Sequence, residues 1–315
     1  MATSSQTPFG SQNLPTINLL DPRSIVSNEI VEACVELGFF KVINHGISYE
    51  IIEKVKKEGF NFFGKEMFEK SLAGQASSTN PLGYGYKNIG SRGDMGELEY
   101  LLLSAHPSYI AEKSITISND SSQFSSAINE YIKAVNALTC KLLVLIAEGL
   151  NIQDTSVFSR LIMDEDSDSL IRFNYYSPTS NNAEIGFGEH TDPQLLSLLT
   201  SNDVDGFQIS VQNDEWIPVP ADPNAFWVNV GDMLQVLTNG RFSSVRHRAL
   251  TNSSKPRLSV IYFGAPPLLA SISAPPEMLS NIGYSLYRTF TWAEFKDNFY
   301  RQRLTEGRLN YFKNE

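Results

Sequence analysis

The chain has 315 residues, of which 42% are hydrophobic, so it is long enough for one large domain or two small ones with a sizeable core. Its formal net charge of −10, from 35 acidic and 25 basic residues, provides no basic field for nucleic acid and argues against binding to an anionic membrane. The two cysteines, Cys34 and Cys140, are too few for a disulfide framework or a thiolate metal cluster.

The first half of the chain is predicted to be rich in helices. Residues 1–13 have no signal-peptide layout, and we predict a disordered tail on a cytosolic protein. Apolar residues then recur at helical spacing in three stretches. The first ends at Gly38, the second runs from about Tyr49 through "VKKEGFNFFGKEMFEK", and the third runs from Phe124 to Gly149. Short strands are predicted at "LPTINLL" and "FFKVINHGI", and the glycine-rich segment 80–103 is predicted to be a loop with a strand at its end.

From Leu170 onward the sequence changes to short apolar runs separated by turn signals such as Asp205-Gly206 and Asn239-Gly240. The predicted strands are "LIRFNYY", "LLSLLTS", "GFQISV", "EWIPVP", "AFWVNVG", "MLQVLTNG", "SSVRHRAL" and "RLSVIYFGA". Gly231-Asp232 is predicted to form the turn before "MLQVLTNG", and a carboxylate that supports a metal site is the alternative role for Asp232. This succession predicts a double-sheet β roll with the N-terminal helices packed on it.

The stretch "GFGEHTDPQ" contains a candidate metal site. In an extended chain, residues two apart point to the same side, so His190 and Asp192 can both reach one ion. His247 lies on a downstream predicted strand and is the candidate third ligand, whereas His45 and His106 have no partners at ligand spacing and are predicted to be structural. Two imidazoles and a carboxylate leave three positions of an octahedron open, as in mononuclear non-haem ferrous oxygenases, although zinc would also accept these ligands.

Arg257 and Ser259 form a second polar pair, ten residues beyond the third candidate ligand. Their alternation along a predicted strand puts the guanidinium and the hydroxyl on one face. A guanidinium inside a β roll requires an anion, and a carboxylate can satisfy it with two hydrogen bonds. The alternative is a surface arginine beside Lys255-Pro256.

His190-x-Asp192, His247 and Arg257-x-Ser259, in this order, resemble the plant 2-oxoglutarate-dependent dioxygenases, as do "NYY" at 174–176 and "GFFKVINHG". The resemblance implies mixed α and β structure with a distorted double-stranded β-helix (jelly-roll) core flanked by N-terminal helices. It further implies one domain over 14–315, with an N-terminal region at 14–110 and the roll at about 165–270. The implied site roles are iron(II) ligation by His190, Asp192 and His247, anchoring of the distal 2-oxoglutarate carboxylate by Arg257 and Ser259, and completion of that site by Tyr176 and Asn174. Dioxygen is the implied oxidant and ascorbate the implied reductant.

A narrower resemblance is to gibberellin 2-oxidases that act on nineteen-carbon gibberellins, carried by "GYGYKNIGSRGDMGELEYLLL", "IGFGEHTDPQLLSLLTSNDVDGFQIS" and "WIPVPADPNAFWVNVGDMLQVLTNGRFSSVRHRAL". It implies hydroxylation at carbon 2, which inactivates the hormone. We predict a location in the cytoplasm, and also in the nucleus. The chain departs from that pattern with Arg92 and Glu97, where asparagine and tryptophan are usual, and with 177–179, where Pro-Pro-Cys is usual. The same chemistry on another plant metabolite and a catalytically silent ligand-binding protein remain possible functions.

A gibberellin is an apolar ring system with one carboxylate, so its site is expected to be mostly apolar with one or two donors. Arg92 or Arg172 are candidates to bind the acid, and Glu97 could repel a carboxylate or pair with Arg92. The candidate walls are Tyr84, Tyr100, Phe187, Tyr262 and Phe263. The sequence does not indicate an oligomeric state.

Overall fold

The computed structural model describes residues 14–77, 80–88, 94–180, 184–211, 214–279, 283–303 and 307–314. The tail predicted at 1–13 and the candidate Arg92 lie outside these residues. The helices are α1 Arg23–Glu36, α2 Tyr49–Phe63, α3 Met67–Ser71, α4 Pro107–Ile117, α5 Ser121–Gly149, α6 Arg160–Met163, α7 Asp232–Leu237, α8 Pro276–Leu279, α9 Trp292–Tyr300 and a C-terminal 3₁₀ helix, Arg308–Phe312.

Two facing sheets form the β roll, as predicted. The major sheet has the order β1-β2-β10-β7-β12-β5-β4-β3 and the minor sheet the order β6-β11-β8-β9, with β13 and β14 pairing separately. All neighbours are antiparallel except β1 and β2. The strands are β1 Thr16–Asn18, β2 Phe39–Ile43, β3 Gly83–Asn88, β4 Met95–Ser104, β5 Leu170–Tyr176, β6 Ile185–His190, β7 Leu196–Ser201, β8 Phe207–Ser210, β9 Trp216–Pro218, β10 Phe226–Val230, β11 His247–Leu250, β12 Arg257–Gly264, β13 Ser271–Ile272 and β14 Phe290–Thr291.

The long helix α5 covers the outer face of the major sheet. The Asp120 side chain caps its N-terminus by accepting a hydrogen bond from the backbone N–H of Gln123, which satisfies one of the helix's free donors. Apolar residues at helical spacing along α5 are buried together with one face of β12, at Leu258, Val260 and Tyr262. The alternate residues of β12 therefore face the space between the two sheets, where the polar candidates lie.

The structure corrects several sequence predictions. "MLQVLTNG" is not a strand but the helix α7, because the apolar positions 233, 234, 236 and 237 are all buried and Gly231 supplies the N-cap. In the described part of 80–103, β3 and β4 pair as antiparallel strands, so two strands are present where one was predicted. The helix predicted from Tyr49 is divided at Gly64 into α2 and α3, and His106 precedes a helix, α4, that was not predicted.

No helix within the described parts of the chain combines the length and the apolar character needed to cross a bilayer.

Candidate active site

The sheet register brings the three candidate metal ligands together. His190, at the end of β6, is the cross-strand partner of His247, at the start of β11. Asp192 follows two residues later, with its Oδ1 3.8 Å from His190 Nε2 and 3.6 Å from His247 Nε2. One ligand atom from each of these residues lies within 4.8 Å of the others, in the only such His/Cys/Asp/Glu group among the described residues.

Backbone carbonyl groups fix the tautomer of both imidazoles. His190 Nδ1 lies 2.8 Å from the Gly188 carbonyl oxygen, and His247 Nδ1 lies 3.1 Å from that of Val245. Because a carbonyl oxygen can only accept, each Nδ1 carries a proton, and each Nε2 is turned towards Asp192. Burial, and next the charge of His247, lower the pKa of His190 well below its usual value, so this imidazole is neutral at pH 7.

Asp192 is held as a buried carboxylate. Its side chain is only 5% exposed, and its Oδ2 accepts a 2.9 Å hydrogen bond from the Asn229 amide on β10. Burial opposes ionisation, but the two neighbouring imidazoles and the Asn229 amide together lower the pKa of Asp192. The carboxylate therefore remains charged and keeps Oδ1 directed towards the imidazoles.

The unpredicted helix α7 supports the loop that carries Asp192. The backbone N–H groups of Asp232 and Met233 donate to the carbonyl oxygens of Asp192 and Gln194. A β-carbon at Gly231 would lie 2.0 Å from the Gln194 carbonyl oxygen, so only glycine permits this close approach of helix and loop.

These observations fit a divalent metal with open coordination positions. Two imidazole nitrogens and one carboxylate oxygen converge, and hydrogen bonds from outside the group orient every ligand. His190, Asp192 and His247 could thus hold iron(II).

We predict that Asn229→Leu weakens metal binding by about 10- to 100-fold, because Asp192 would lose the donor that orients it. The measurement is the dissociation constant for cobalt(II) from equilibrium dialysis, with Asn202→Leu as the control. Asn202 lies outside the metal group and bonds the Pro256 carbonyl oxygen. Equal cobalt affinity in Asn229→Leu and the unmodified protein would contradict the role of this amide.

A second buried cation lies beside the metal group. Arg257 on β12 is 2% exposed, its Nε has no hydrogen-bond partner, and no ion pair forms between it and another described residue. Burial lowers the pKa of Arg257. Ser259 lies on the same face of β12, and the register pairs Arg257 with Tyr176 and Ser259 with Asn174 on β5. All four side chains line one inner cavity with the metal group, so this cavity can receive a carboxylate.

An outer cavity continues from the metal group towards the surface. Arg172 lines both cavities, with its guanidinium 4.2 Å from the Tyr100 ring centroid and 4.8 Å from that of Phe187. Its Nε donates to Asn174, whereas its buried Nη2 has no partner. Phe263 also lines both cavities. The candidates Tyr100, Arg172, Phe187 and Phe263 are thus brought together beside the metal group.

The structure places the remaining described substrate candidates elsewhere. Tyr262 points to the opposite face of β12, where its hydroxyl accepts a hydrogen bond from Asn136, because adjacent strand residues face opposite sides. Tyr84 likewise lies on the helix side of the major sheet, and its hydroxyl donates to Glu99. Glu97 forms an ion pair with Lys87 and lines neither cavity. Tyr84 and Tyr262 as cavity walls are therefore wrong.

Several residues at the site were not found by sequence reasoning. Asn229 lies on a strand that was predicted, but the alternation of "FWVNVG" alone does not identify its partner. Phe299, Tyr300 and Arg308 come from the C-terminal segment and line the outer cavity. In the sequence, Arg308 could have been identified as a basic residue next to an apolar run that follows the last strand of the roll.

A surface groove of about 820 Å³ lies away from the metal group beside α2. It is open and contains none of the predicted site residues. The convergence of buried polar groups, rather than the size of the groove, identifies the inner and outer cavities as the candidate active site.

Two family models match the chain. The model described as the 2OG-Fe(II) oxygenase superfamily matches residues 167–266, which include all three candidate ligands together with Arg257 and Ser259. The model described as the non-haem dioxygenase in morphine synthesis N-terminal matches residues 14–111.

Curated relatives and solved structures match nearly the whole chain. Gibberellin 2-beta-dioxygenase 1 of Pisum sativum is 46% identical, covering 96% of this chain and 91% of that protein. Gibberellin 2-beta-dioxygenase 2 of Oryza sativa is 44% identical, covering 95% and 86%. The crystal structure of JOX2 in complex with 2OG, Fe and JA superposes with a TM-score of 0.84 at 25% identity, covering 96% of this chain and 89% of that one. A rice dioxygenase for auxin oxidation, with a TM-score of 0.81 at 22% identity and coverage of 96% and 100%, shares the fold.

The predicted jelly-roll fold is thus confirmed, and the chain belongs to the 2OG-Fe(II) oxygenase superfamily and, within it, to the family of the gibberellin 2-beta-dioxygenases.

Proposed function

We propose that this protein hydroxylates carbon 2 of gibberellins and so inactivates the hormone, using iron(II), 2-oxoglutarate and dioxygen. The observation that carries the proposal is that two arginines, Arg257 and Arg172, each with a buried nitrogen that has no partner, lie beside one His-Asp-His group. An oxygenase of this family needs one anchor for its co-substrate acid, and a gibberellin needs a second anchor for its own carboxylate. The identity of 41–46% to several gibberellin 2-beta-dioxygenases supports this substrate class.

The inner cavity is the proposed site of iron and 2-oxoglutarate. His190, Asp192 and His247 would ligate the metal, and Arg257 with Ser259 would bind the distal carboxylate of the co-substrate. Asn174 and Tyr176 would complete this wall from β5. When bound, iron(II) supplies the chemistry that couples decarboxylation of 2-oxoglutarate to succinate with transfer of one oxygen atom to the substrate, and ascorbate is the proposed reductant.

The outer cavity is the proposed site of the gibberellin. Phe187 and Phe263 provide apolar walls, and Arg172 provides a guanidinium for the acid. The rings of Tyr100 and Phe187 both contact the Arg172 guanidinium and restrict its movement, so a bound carboxylate would orient the ring system towards the metal group. These walls also keep water away from the reacting carbon.

We expect the protein, supplied with iron(II), 2-oxoglutarate and ascorbate, to convert nineteen-carbon gibberellins to products one oxygen atom heavier, with one succinate released per product. Mass spectrometry and NMR of the product give the mass and the oxidised position. The test uses a panel of gibberellins, their precursors and further plant carboxylic acids. No turnover of any gibberellin would refute the substrate, and turnover of a different acid would favour another plant metabolite as the substrate.

The same assay separates this oxygenase from a silent ligand-binding protein and from a zinc hydrolase. A silent ligand-binding protein would release no succinate with any acid, and a zinc hydrolase would not need 2-oxoglutarate. The buried, unpaired Nε of Arg257 beside an intact His-Asp-His group supports the oxygenase over both functions, because a silent protein does not need the metal ligands and a zinc hydrolase does not need the anion site.

We further propose that 14–315 form one domain that acts in the cytoplasm and the nucleus. The N-terminal strands β1 to β4 share a continuous sheet with β5, β7, β10 and β12, which supports a single domain. A small-molecule substrate accords with the acidic net charge.

A further inference from the structure

The C-terminal 3₁₀ helix contributes a buried cation to the outer cavity. Arg308 is the first residue of this helix and is 3% exposed. Its Nη1 donates a 2.9 Å hydrogen bond to the carbonyl oxygen of Thr191, the residue between His190 and Asp192. The guanidinium also lies 4.3 Å from the ring centroid of Phe299 on α9. These two contacts hold Arg308 close to the metal group, although its segment is remote from the metal ligands in sequence.

The charge of Arg308 has no ion-pair partner within the described parts of the chain. Its buried Nε has no hydrogen-bond acceptor, and the carboxylates of Asp232, Asp192 and Asp94 act on its charge without forming an ion pair with it. Burial lowers the pKa of Arg308, because it removes water from the charged form. A buried guanidinium with a free N–H group is costly unless an anion approaches it.

Arg308 and Arg172 line the same cavity from different walls. Arg172 is on β5 of the major sheet, and its Nη2 is likewise buried without a partner. The phenol of Tyr300 lies near both guanidinium groups. Burial raises the pKa of Tyr300, and the positive charges of Arg172 and Arg308 oppose that rise. Both guanidinium groups line the outer cavity, and each retains one N–H group without an acceptor, so a single carboxylate in this cavity could pair with both.

The position of the two cavities excludes the co-substrate as the anion at Arg308. Arg308 lines the outer cavity and a surface pocket, but not the inner cavity that contains Arg257. The distal 2-oxoglutarate carboxylate has its own guanidinium there. The anion that Arg308 meets must therefore belong to the organic substrate.

We propose that Arg308 is a substrate-binding residue that determines specificity by holding, jointly with Arg172, the carboxylate of the organic substrate. The inference rests on the proposed function, because it requires that the substrate is a carboxylic acid. The alternative is a purely structural role, in which Arg308 only connects the 3₁₀ helix to Thr191. The test must distinguish this role from substrate binding.

The test compares a nineteen-carbon gibberellin with its methyl ester, which keeps the rings and removes the charge. Binding is measured under anaerobic conditions with iron(II) and 2-oxoglutarate present, so that no turnover occurs, and kcat and KM are then measured in air. Arg308→Gln is expected to raise the dissociation constant and the KM of the acid by about 10- to 100-fold, as for loss of a charged hydrogen bond, while the values for the ester stay unchanged. Arg308→Lys should keep part of the preference for the acid.

Arg301→Gln is the matched control, since this guanidinium in the same segment is 71% exposed and pairs with Asp297. It should leave acid and ester binding unchanged. Thermal melting reports whether each variant is folded, and a misfolded Arg308→Gln leaves the Arg308→Lys comparison to decide. Equal weakening of acid and ester, or no weakening, would overturn the role of Arg308.

Failure of the proposed function has a different signature. If the unmodified protein oxidises no gibberellin but another carboxylic acid stimulates succinate release, the substrate proposal falls and the acid-to-ester comparison is made on that acid. A lost acid preference in Arg308→Gln would then still support the inference. If no carboxylic acid binds to the unmodified protein, both proposals fall.

Discussion

Asp192→Ala is expected to abolish both turnover and metal binding. The side chain supplies the only carboxylate of the group, and its loss would leave two imidazoles and the unpaired amide of Asn229. We expect succinate release to fall by more than about 100-fold, because loss of a residue that only hydrogen-bonds to a metal ligand already costs up to about 100-fold. The measurements are succinate release with a gibberellin and cobalt(II) affinity from equilibrium dialysis.

Asp203→Ala is the control for this variant. Asp203 has a side chain that is 68% exposed, and it forms an exposed ion pair with Lys255. It should retain full metal affinity and turnover, since exposed ion pairs contribute little to stability. Normal cobalt binding by Asp192→Ala would show that the carboxylate is not a ligand. His190→Ala is expected to give the same loss, and unimpaired activity in it would refute the ligand assignment.

Arg257→Gln is expected to raise the KM for 2-oxoglutarate by about 30-fold or more, which corresponds to about 2 kcal/mol. The glutamine removes the charge and the two-pronged donor from a buried site whose Nε has no other partner. Affinity for the gibberellin should change little, because Arg257 does not line the outer cavity. The measurement is the initial rate against 2-oxoglutarate concentration at saturating substrate.

Lys255→Gln is the matched control, two residues away and exposed. It should leave the KM for 2-oxoglutarate unchanged. Arg257→Gln and Arg308→Gln are expected to show opposite patterns, with the first affecting the co-substrate and the second the organic acid. A rise in the gibberellin KM alone in Arg257→Gln would contradict the assignment of the inner cavity to 2-oxoglutarate.

The sequence predicted most strands and the face that each presents, because period-two alternation is a local property. In β12 the alternation that joins Arg257 to Ser259 also places Tyr262 and Phe263 on opposite faces, so both could not line one cavity. The error at Tyr262 came from choosing aromatic residues without applying this rule. The error at Tyr84 has another cause, since its direction depends on the pairing of β3 with β4, which was not predicted.

The remaining differences depend on tertiary contacts. The apolar run in α7 is buried on all sides, and the periodicity of a short buried run does not distinguish a strand from a helix. The roles of Asn229 and Arg308 depend on the contacts that β10 and the C-terminal segment make with the loop at Asp192. No local sequence pattern predicts those contacts.

The order of the major sheet determines when the N-terminal third of the chain can fold. β1 and β2 occupy one edge beside β10, and β4 and β3 occupy the other beside β5, so the first strands to leave the ribosome are bound to strands made much later. Until about residue 230 has emerged, β2 has no antiparallel partner, and its apolar residues Phe39, Phe40 and Val42 cannot be buried in the sheet. Such non-local pairing makes folding slow and exposes unpaired edges during synthesis. A fragment that stops near residue 110 would therefore be expected to aggregate rather than to form an independent unit.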